Sequence, residues 1–270
     1  NNNDSFFKDF ISRSWNAQDG IPGNTITDIM QSSNGYIYFG TYGGLVRFDG
    51  LNFTVLNQNY NSDFAFRSTR VVVQDKRGNL WVGSNDEGVF CIKTDGQVIS
   101  FSTENGLTNN SVRAICEDFE NNIWVGTASG INVISDEYQI IKPKGFDTVP
   151  ENNIFIVNQM YCDTAGRVWI LSLTEKSTYT YSENKFEKFL NIHSIKNPII
   201  TTMNQDATGA LWFGVAPHYA VRLLGDEETV FDLSAENHNG SYVNCIFQDK
   251  EKNLWFGMDG GITIIHDGKL

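Results

Sequence analysis

A short phrase recurs six times along this 270-residue chain at nearly constant spacing. It reads Asn-Gly-Tyr-Ile-Tyr-Phe-Gly at 34–40, Gly-Asn-Leu-Trp-Val-Gly at 78–83 and Asn-Asn-Ile-Trp-Val-Gly at 121–126. It returns as Gly-Arg-Val-Trp-Ile-Leu at 166–171, Gly-Ala-Leu-Trp-Phe-Gly at 209–214 and Lys-Asn-Leu-Trp-Phe-Gly at 252–257. The aromatic anchors Tyr38, Trp81, Trp124, Trp169, Trp212 and Trp255 stand 43, 43, 45, 43 and 43 residues apart. A period of this size marks units that cannot bury their own apolar faces and must stack on copies of themselves. The repeat runs through nearly the whole chain, so residues 1–270 read as one domain.

One unit shows what the repeat encodes. Val71-Val72-Val73 is a short β-branched run, as a buried strand requires. Asp75 to Gly78 is a turn, in which the carboxylate can accept from turn amides and glycine supplies positive φ. Leu80–Val82, Gly88–Ile92 and Val98–Phe101 follow as strands, the last two joined at the hairpin signal Asp95-Gly96. The expected fold is therefore all-β: a β-propeller of four-stranded antiparallel blades with six repeats visible, either six-bladed or part of a longer propeller.

The turn aspartate recurs as Asp75, Asp118, Asp163, Asp206 and Asp249, with Ser32 in the first unit. These residues belong to separate blades and cannot converge on one ion, so they read as structural. The repeated tryptophan likewise reads as inter-blade packing rather than a sugar platform. A propeller must also join its first and last blades. The tail Ile262–Leu270 and the head Phe6–Ser12, set end to end, reproduce one strand–turn–strand of the repeat. Residues 6–12 are thus expected to complete the last blade beside Gly261–His266.

Composition narrows the functions. A formal charge of −12 argues against nucleic acid as a partner, because binding phosphates needs clustered Lys and Arg. No apolar run reaches the 18–20 residues of a membrane helix, so membrane attachment would come through segments outside this chain. Asn1–Ser5 has neither the basic nor the apolar region of a signal peptide. Cys91, Cys116, Cys162 and Cys245 form no Cys-x-x-Cys pair and sit in apolar strands, which favours buried structural thiols over zinc chemistry. His193, His218, His238 and His266 share no repeat position, and no nucleophile–base set is visible; neither catalytic residues nor a metal or cofactor are expected.

Aligning the units on their anchors gives one innermost-strand position that is polar in every blade: Thr27, Arg70, Arg113, Asn158, Thr201 and Asn244. Such a ring is either a solvated channel wall or a set of hydrogen-bonding groups for a polar or anionic ligand. Arg70 and Arg113, in adjacent blades, should approach each other; paired with local acids such as Asp86 or Glu87 they would leave no vacancy. The loop between second and third strands loses its glycines in blade four, Leu171–Lys176, and blade five, Val215–Tyr219. Loops freed from the repeat are where function concentrates. Tyr219 in one such loop and Tyr42 in a regular one are candidate faces for a sugar ring, with His218 and Asp259 at the rim.

The full pattern is (Asn/Asp)-Gly-(Leu/Ile), a strand, then Asp-x-x-Gly-x-(Leu/Ile/Val)-Trp-(Val/Phe)-Gly-Thr-x-x-Gly-(Leu/Ile). It resembles the two-component regulator propeller repeat, most completely in Gly106–Ile131 and Gly20–Leu45. The resemblance covers essentially the whole chain. It implies a sensor domain on the periplasmic or extracellular side of a bacterial membrane protein, upstream of a histidine kinase, a hybrid kinase or a diguanylate cyclase. It also implies a small polar ligand, carbohydrate among the candidates, and a homodimer in the full-length receptor. A protein-interaction scaffold and a lyase or hydrolase propeller are the competing readings. The sialidase Asp-box, Ser-x-Asp-x-Gly-x-(Ser/Thr)-Trp, differs: its Asp and Gly are two residues apart where Asp75 and Gly78 are three apart, and Leu80 stands at its Ser/Thr position.

Overall fold

A computed structural model of the chain describes residues 11–57, 59–145, 156–174, 176–189, 192–234 and 242–266. Six antiparallel sheets follow one another along the chain and form a six-bladed β-propeller. Blades one to five have four strands each in sequential order; blade six has three among the described residues. The innermost strands are Ile26–Gln31, Val71–Gln74, Val112–Glu117, Val157–Cys162, Ile200–Gln205 and Val243–Gln248. The predicted closing strand, residues 6–12, falls mostly outside the described residues; Ile11 and Ser12 are exposed and belong to no strand.

Inside each of blades two to six, one bond ties the turn to the core. The indole N–H of Trp81, Trp124, Trp169, Trp212 and Trp255 donates to Oδ2 of Asp75, Asp118, Asp163, Asp206 and Asp249 at 2.8–3.0 Å. The second carboxylate oxygen takes a backbone N–H four residues on, from Asn79, Asn122, Arg167, Ala210 or Asn253. The aspartates are therefore satisfied internally, which is the structural role the repeat implied.

The glycine closing the Trp-x-Gly phrase serves the next blade. A Cβ added at Gly83, Gly126 or Gly214 would land 2.6, 2.5 or 2.8 Å from Val112, Val157 or Val243, which open the following blade's innermost strand. Blade four carries Leu171 instead, buried in the packing between blades four and five. Five apolar clusters hold the blade pairs one–two, two–three, three–four, four–five and five–six together. Polar latches add to them. Gln74, Glu117, Gln205 and Gln248 accept the turn amides of Ser33, Lys76, Thr164 and Ala207 in the preceding blade at 2.7–2.8 Å.

The seam between blades six and one is built differently. Ile29 is 67% exposed, whereas its equivalents Val72, Ile115, Met160, Met203 and Ile246 are buried. Across the seam Phe247 and Ile262 are 62% and 61% exposed. Gln31, at the latch position, donates to the Gly35 carbonyl as Gln74, Gln205 and Gln248 do in their own turns, but among the described residues its side-chain oxygen accepts no amide from another blade. Cys245 is exposed here, so the expectation of four buried thiols holds for Cys91 and Cys116, in part for Cys162, and fails for Cys245. All four cysteines are free.

Gly126→Ala should lower the unfolding free energy by about 1–3 kcal/mol, because the new methyl collides with a packed neighbouring strand. Gly257→Ala meets only Cys245 Sγ of its own blade, at 2.5 Å, and should cost clearly less. Urea denaturation of both variants measures this; equal losses would mean the two interfaces are packed alike.

Candidate functional site

The polar register falls on a backbone irregularity. In blades one, three, four, five and six the pairing between first and second strands skips one residue, namely Thr27, Arg113, Asn158, Thr201 and Asn244. In blade two Arg70 stands just before the strand, its N–H donating to the Gly83 carbonyl at 2.8 Å. A bulge leaves one residue without a partner across the ladder and re-aims its side chain. Here it turns all six polar residues toward the axis, where they line a central channel of about 770 Å³.

Most of this ring is internally satisfied. Thr27 Oγ1 donates to the Thr69 carbonyl at 2.7 Å, and Thr201 Oγ1 to the Val243 carbonyl at 2.6 Å. Asn158 Nδ2 donates to the Thr201 carbonyl at 3.0 Å, and Asn244 Nδ2 to Asp259 Oδ1 at 2.6 Å. The arginines differ from the rest. Arg70 Nη1 reaches only the neutral Asn85 Oδ1, at 3.0 Å, and Asn85 in turn donates to Asp86. Arg113 Nε is buried with no hydrogen-bond partner. Burial first, and the neighbouring Arg70 charge second, push the Arg113 guanidinium down from its ordinary value. Neither arginine forms an ion pair among the described residues. The local pairing with Asp86 or Glu87 that would have neutralised them is not made.

Four of the eight candidate residues, Arg70, Arg113, Asn158 and Asn244, line the channel together. Asp259 joins them through Asn244. Tyr42, His218 and Tyr219 do not line it. Tyr42 is exposed on its loop. His218 Nε2 lies 3.6 Å from Asp232 Oδ1 on the outer strand of blade five, with its ring 4.7 Å from Tyr219. Sequence reasoning missed the role of Asn85, whose amide orients Arg70; its place in a variable loop carried no signal. The histidines are dispersed: His193 N–H binds Glu228, and His266 Nδ1 lies beside Asn253 Oδ1, while His238 lies outside the described residues. Among the described residues no group of three His, Cys, Asp or Glu is placed to hold a metal ion. No helix of the described residues is long and apolar enough to cross a membrane.

Asp28 also lines the channel. Burial pushes its carboxyl up to about 6, against the lowering effect of the Val72 and Ile29 amides that it accepts. Its protonated form therefore stabilises the fold. That contribution is full below pH ~4 and is lost as pH rises through about 6, a difference of about 2–3 kcal/mol. Asp28→Asn should flatten the stability profile between pH 4 and 7 and leave the protein at least as stable at pH 7. Denaturation midpoints across that range measure it, and an unchanged slope would show that another group titrates.

Residues 20–43, 65–86, 106–129 and 237–260 match the two-component regulator propeller. A segment of 82 residues is 32% identical to a histidine kinase, P4, of Formosa agariphila, covering 28% of this chain and 6% of the kinase. The fold matches the extracellular domain of a protein described as a hybrid two-component system from B. thetaiotaomicron, with a TM-score of 0.74 at 22% identity. That match covers 91% of this chain and 34% of the other, so the chain spans about a third of that protein's solved length. Virginiamycin B lyase from Staphylococcus aureus also matches, with a TM-score of 0.71 at 15% identity over 91% of this chain and 82% of the lyase. At these identities the structural likenesses show the propeller fold alone. The chain is thus a six-bladed propeller in which four segments match the two-component regulator propeller repeat.

Proposed function

We propose that this propeller is the ligand-sensing part of a two-component-type signalling protein, on the periplasmic or extracellular side of a bacterial membrane. Its repeats are those of that family, and a propeller of like fold forms the extracellular domain of a protein described as a hybrid two-component system. The ligand is a small polar molecule carrying negative charge, an acidic carbohydrate in the leading case, and it occupies the arginine side of the channel. The observation that carries this is Arg113: a guanidinium with a buried, unpartnered Nε, set beside a second arginine that has no carboxylate. Two adjacent cations without counter-charge are unfavourable until an anion bridges them. Occupancy would reach an attached signalling domain through the geometry of a receptor homodimer, with no catalytic step in the propeller itself.

A second reading, a protein-interaction scaffold, is favoured by one observation, the exposed Ile29, Phe247 and Ile262 at the seam. The two are separated by thermal unfolding against neutral, uronic and sulfated oligosaccharides. The sensor reading predicts stabilisation by the acidic sugars alone. Arg113→Ala should weaken their binding about 10–100-fold. The double change Arg70→Ala and Arg113→Ala should abolish it while the circular dichroism spectrum stays the same. Equal response to neutral sugars, or a shift that survives the double change, would overturn this site.

A further inference from the structure

A second cavity lies away from the channel, in the side of the ring between blades one and two, with a volume of about 430 Å³. Two departures from the repeat create it, and an ordinary turn glycine leaves it open. Tyr38 stands where the other blades have tryptophan, and Ser32 where they have the turn aspartate. Blade one therefore lacks the indole–carboxylate pair; Ser32 Oγ turns instead to the Tyr36 carbonyl and Asn34. The turn glycine is in the neighbouring blade. Tyr138, in the last hairpin of blade three, caps Trp81 of blade two with its ring 6.2 Å away and nearly parallel. The matching hairpin position of blade two is Gly96: Lys93 and Gly96 there make the same turn bonds as Ser135 and Tyr138. A Cβ placed on Gly96 would meet nothing within 4 Å. Space that holds an indole, a carboxylate and a phenol ring elsewhere is left open here.

What remains in that space is cationic and aromatic. Arg47 pairs with Tyr38 across the second and third strands, the register that Arg222 holds to Trp212 in blade five. Arg222 Nε lies 3.8 Å from Asp206, the turn aspartate of its blade. For Arg47 that aspartate is replaced by Ser32, and Arg47 has no ion pair among the described residues. Its guanidinium lies 4.9 Å over the Tyr36 ring and beside the Tyr38 hydroxyl, to which it donates, and it lines the cleft. Lys93 lines the opposite side, over the Tyr138 ring at 4.7 Å and bonded to Gln97 Oε1 at 3.0 Å. Tyr60 and Phe64, stacked 6.0 Å apart at 4°, form one wall, and the Tyr60 ring is 54% exposed; Leu80 lies on the wall opposite.

We infer that this cleft is a ligand site separate from the channel, for a small ring-bearing carboxylate. The carboxylate takes the place of the missing turn aspartate at Arg47, and the ring lies on Tyr60 in the space of the missing indole. A guanidinium fork matches a carboxylate in two parallel hydrogen bonds, and an aromatic wall accepts either the flat face of a sugar or an aromatic ring. The volume is that of ordinary small-ligand pockets.

Two probes distinguish the ring type: glucuronate for a sugar, 4-hydroxybenzoate for an aromatic acid, each with its neutral analogue, glucose or phenol. The readout is the backbone amide spectrum of the whole chain, followed at Tyr60, Leu80 and Lys93. At least one acid should shift these signals saturably while its neutral analogue does not, and Arg47→Met should weaken that binding at least 10-fold. The same response should persist when Arg70 and Arg113 are both alanine, which separates this site from the channel. The paired change Tyr38→Trp and Ser32→Asp should rebuild the indole–carboxylate bond, raise the melting temperature and abolish binding. No saturable shift with either acid, equal shifts with the neutral analogues, or binding that survives the rebuilt blade would overturn the inference.

Discussion

The structure depends on one bond repeated around the ring, from an indole N–H to the carboxylate of a turn aspartate six residues earlier. A blade of four short strands has too little core to hold itself together, and its turn would be free to fray. The aspartate solves both problems. One oxygen closes the turn by accepting backbone amides; the other fixes the tryptophan edge, so that its face is presented to the packing between blades. The buried carboxylate is tolerable because every oxygen has a donor. From this follow the inter-blade clusters, the latches between turn amides and glutamines, and the glycines that let the next strand approach.

Where that arrangement is kept, the molecule has structure and no spare chemistry; where it is broken, groups are left over. A bulge at the head of five innermost strands, with Arg70 just before the strand in blade two, brings six polar side chains to the axis, two of them arginines with no ion pair among the described residues. The loss of the indole and carboxylate in blade one opens the packing and leaves Arg47 with no ion pair among the described residues. Among the described residues the seam beside Ile29 and Phe247 has neither latch nor apolar cluster. The cleft and the seam are thus local failures of the repeat, whereas the channel ring is a repeated irregularity on which the two arginines fall.

Much of this was legible in the amino-acid sequence. The 43-residue step specified blades, and anchoring on Trp81 and its equivalents placed Arg70, Arg113, Asn158 and Asn244 in one register because the bulge preserves that spacing. Loop residues fared worse. His218 and Tyr219 were singled out for breaking the repeat and Tyr42 as an aromatic face on a regular loop, yet a loop's direction depends on the outer strand it packs against, as Asp232 does for His218. Cys245 reads as a core thiol from its apolar strand, but its exposure is decided by the seam, a property of two blades distant in sequence. The cleft at Tyr38 was half visible: Tyr38 and Ser32 stand out in the alignment, whereas Gly96 matters only once it is known to face them from the next blade.

The central claim is that Arg113 presents an unpaired guanidinium to a ligand in the channel. The side-chain Nε–H resonance of Arg113, assigned by comparison with Arg113→Lys, reports on it most directly. A buried Nε–H without an acceptor should move strongly downfield when a uronic or sulfated oligosaccharide is titrated in, reaching the position of a charge-assisted hydrogen bond, and should stay still with a neutral sugar. A resonance already at the hydrogen-bonded position in the free protein, or unmoved at saturating acidic ligand, would contradict the account.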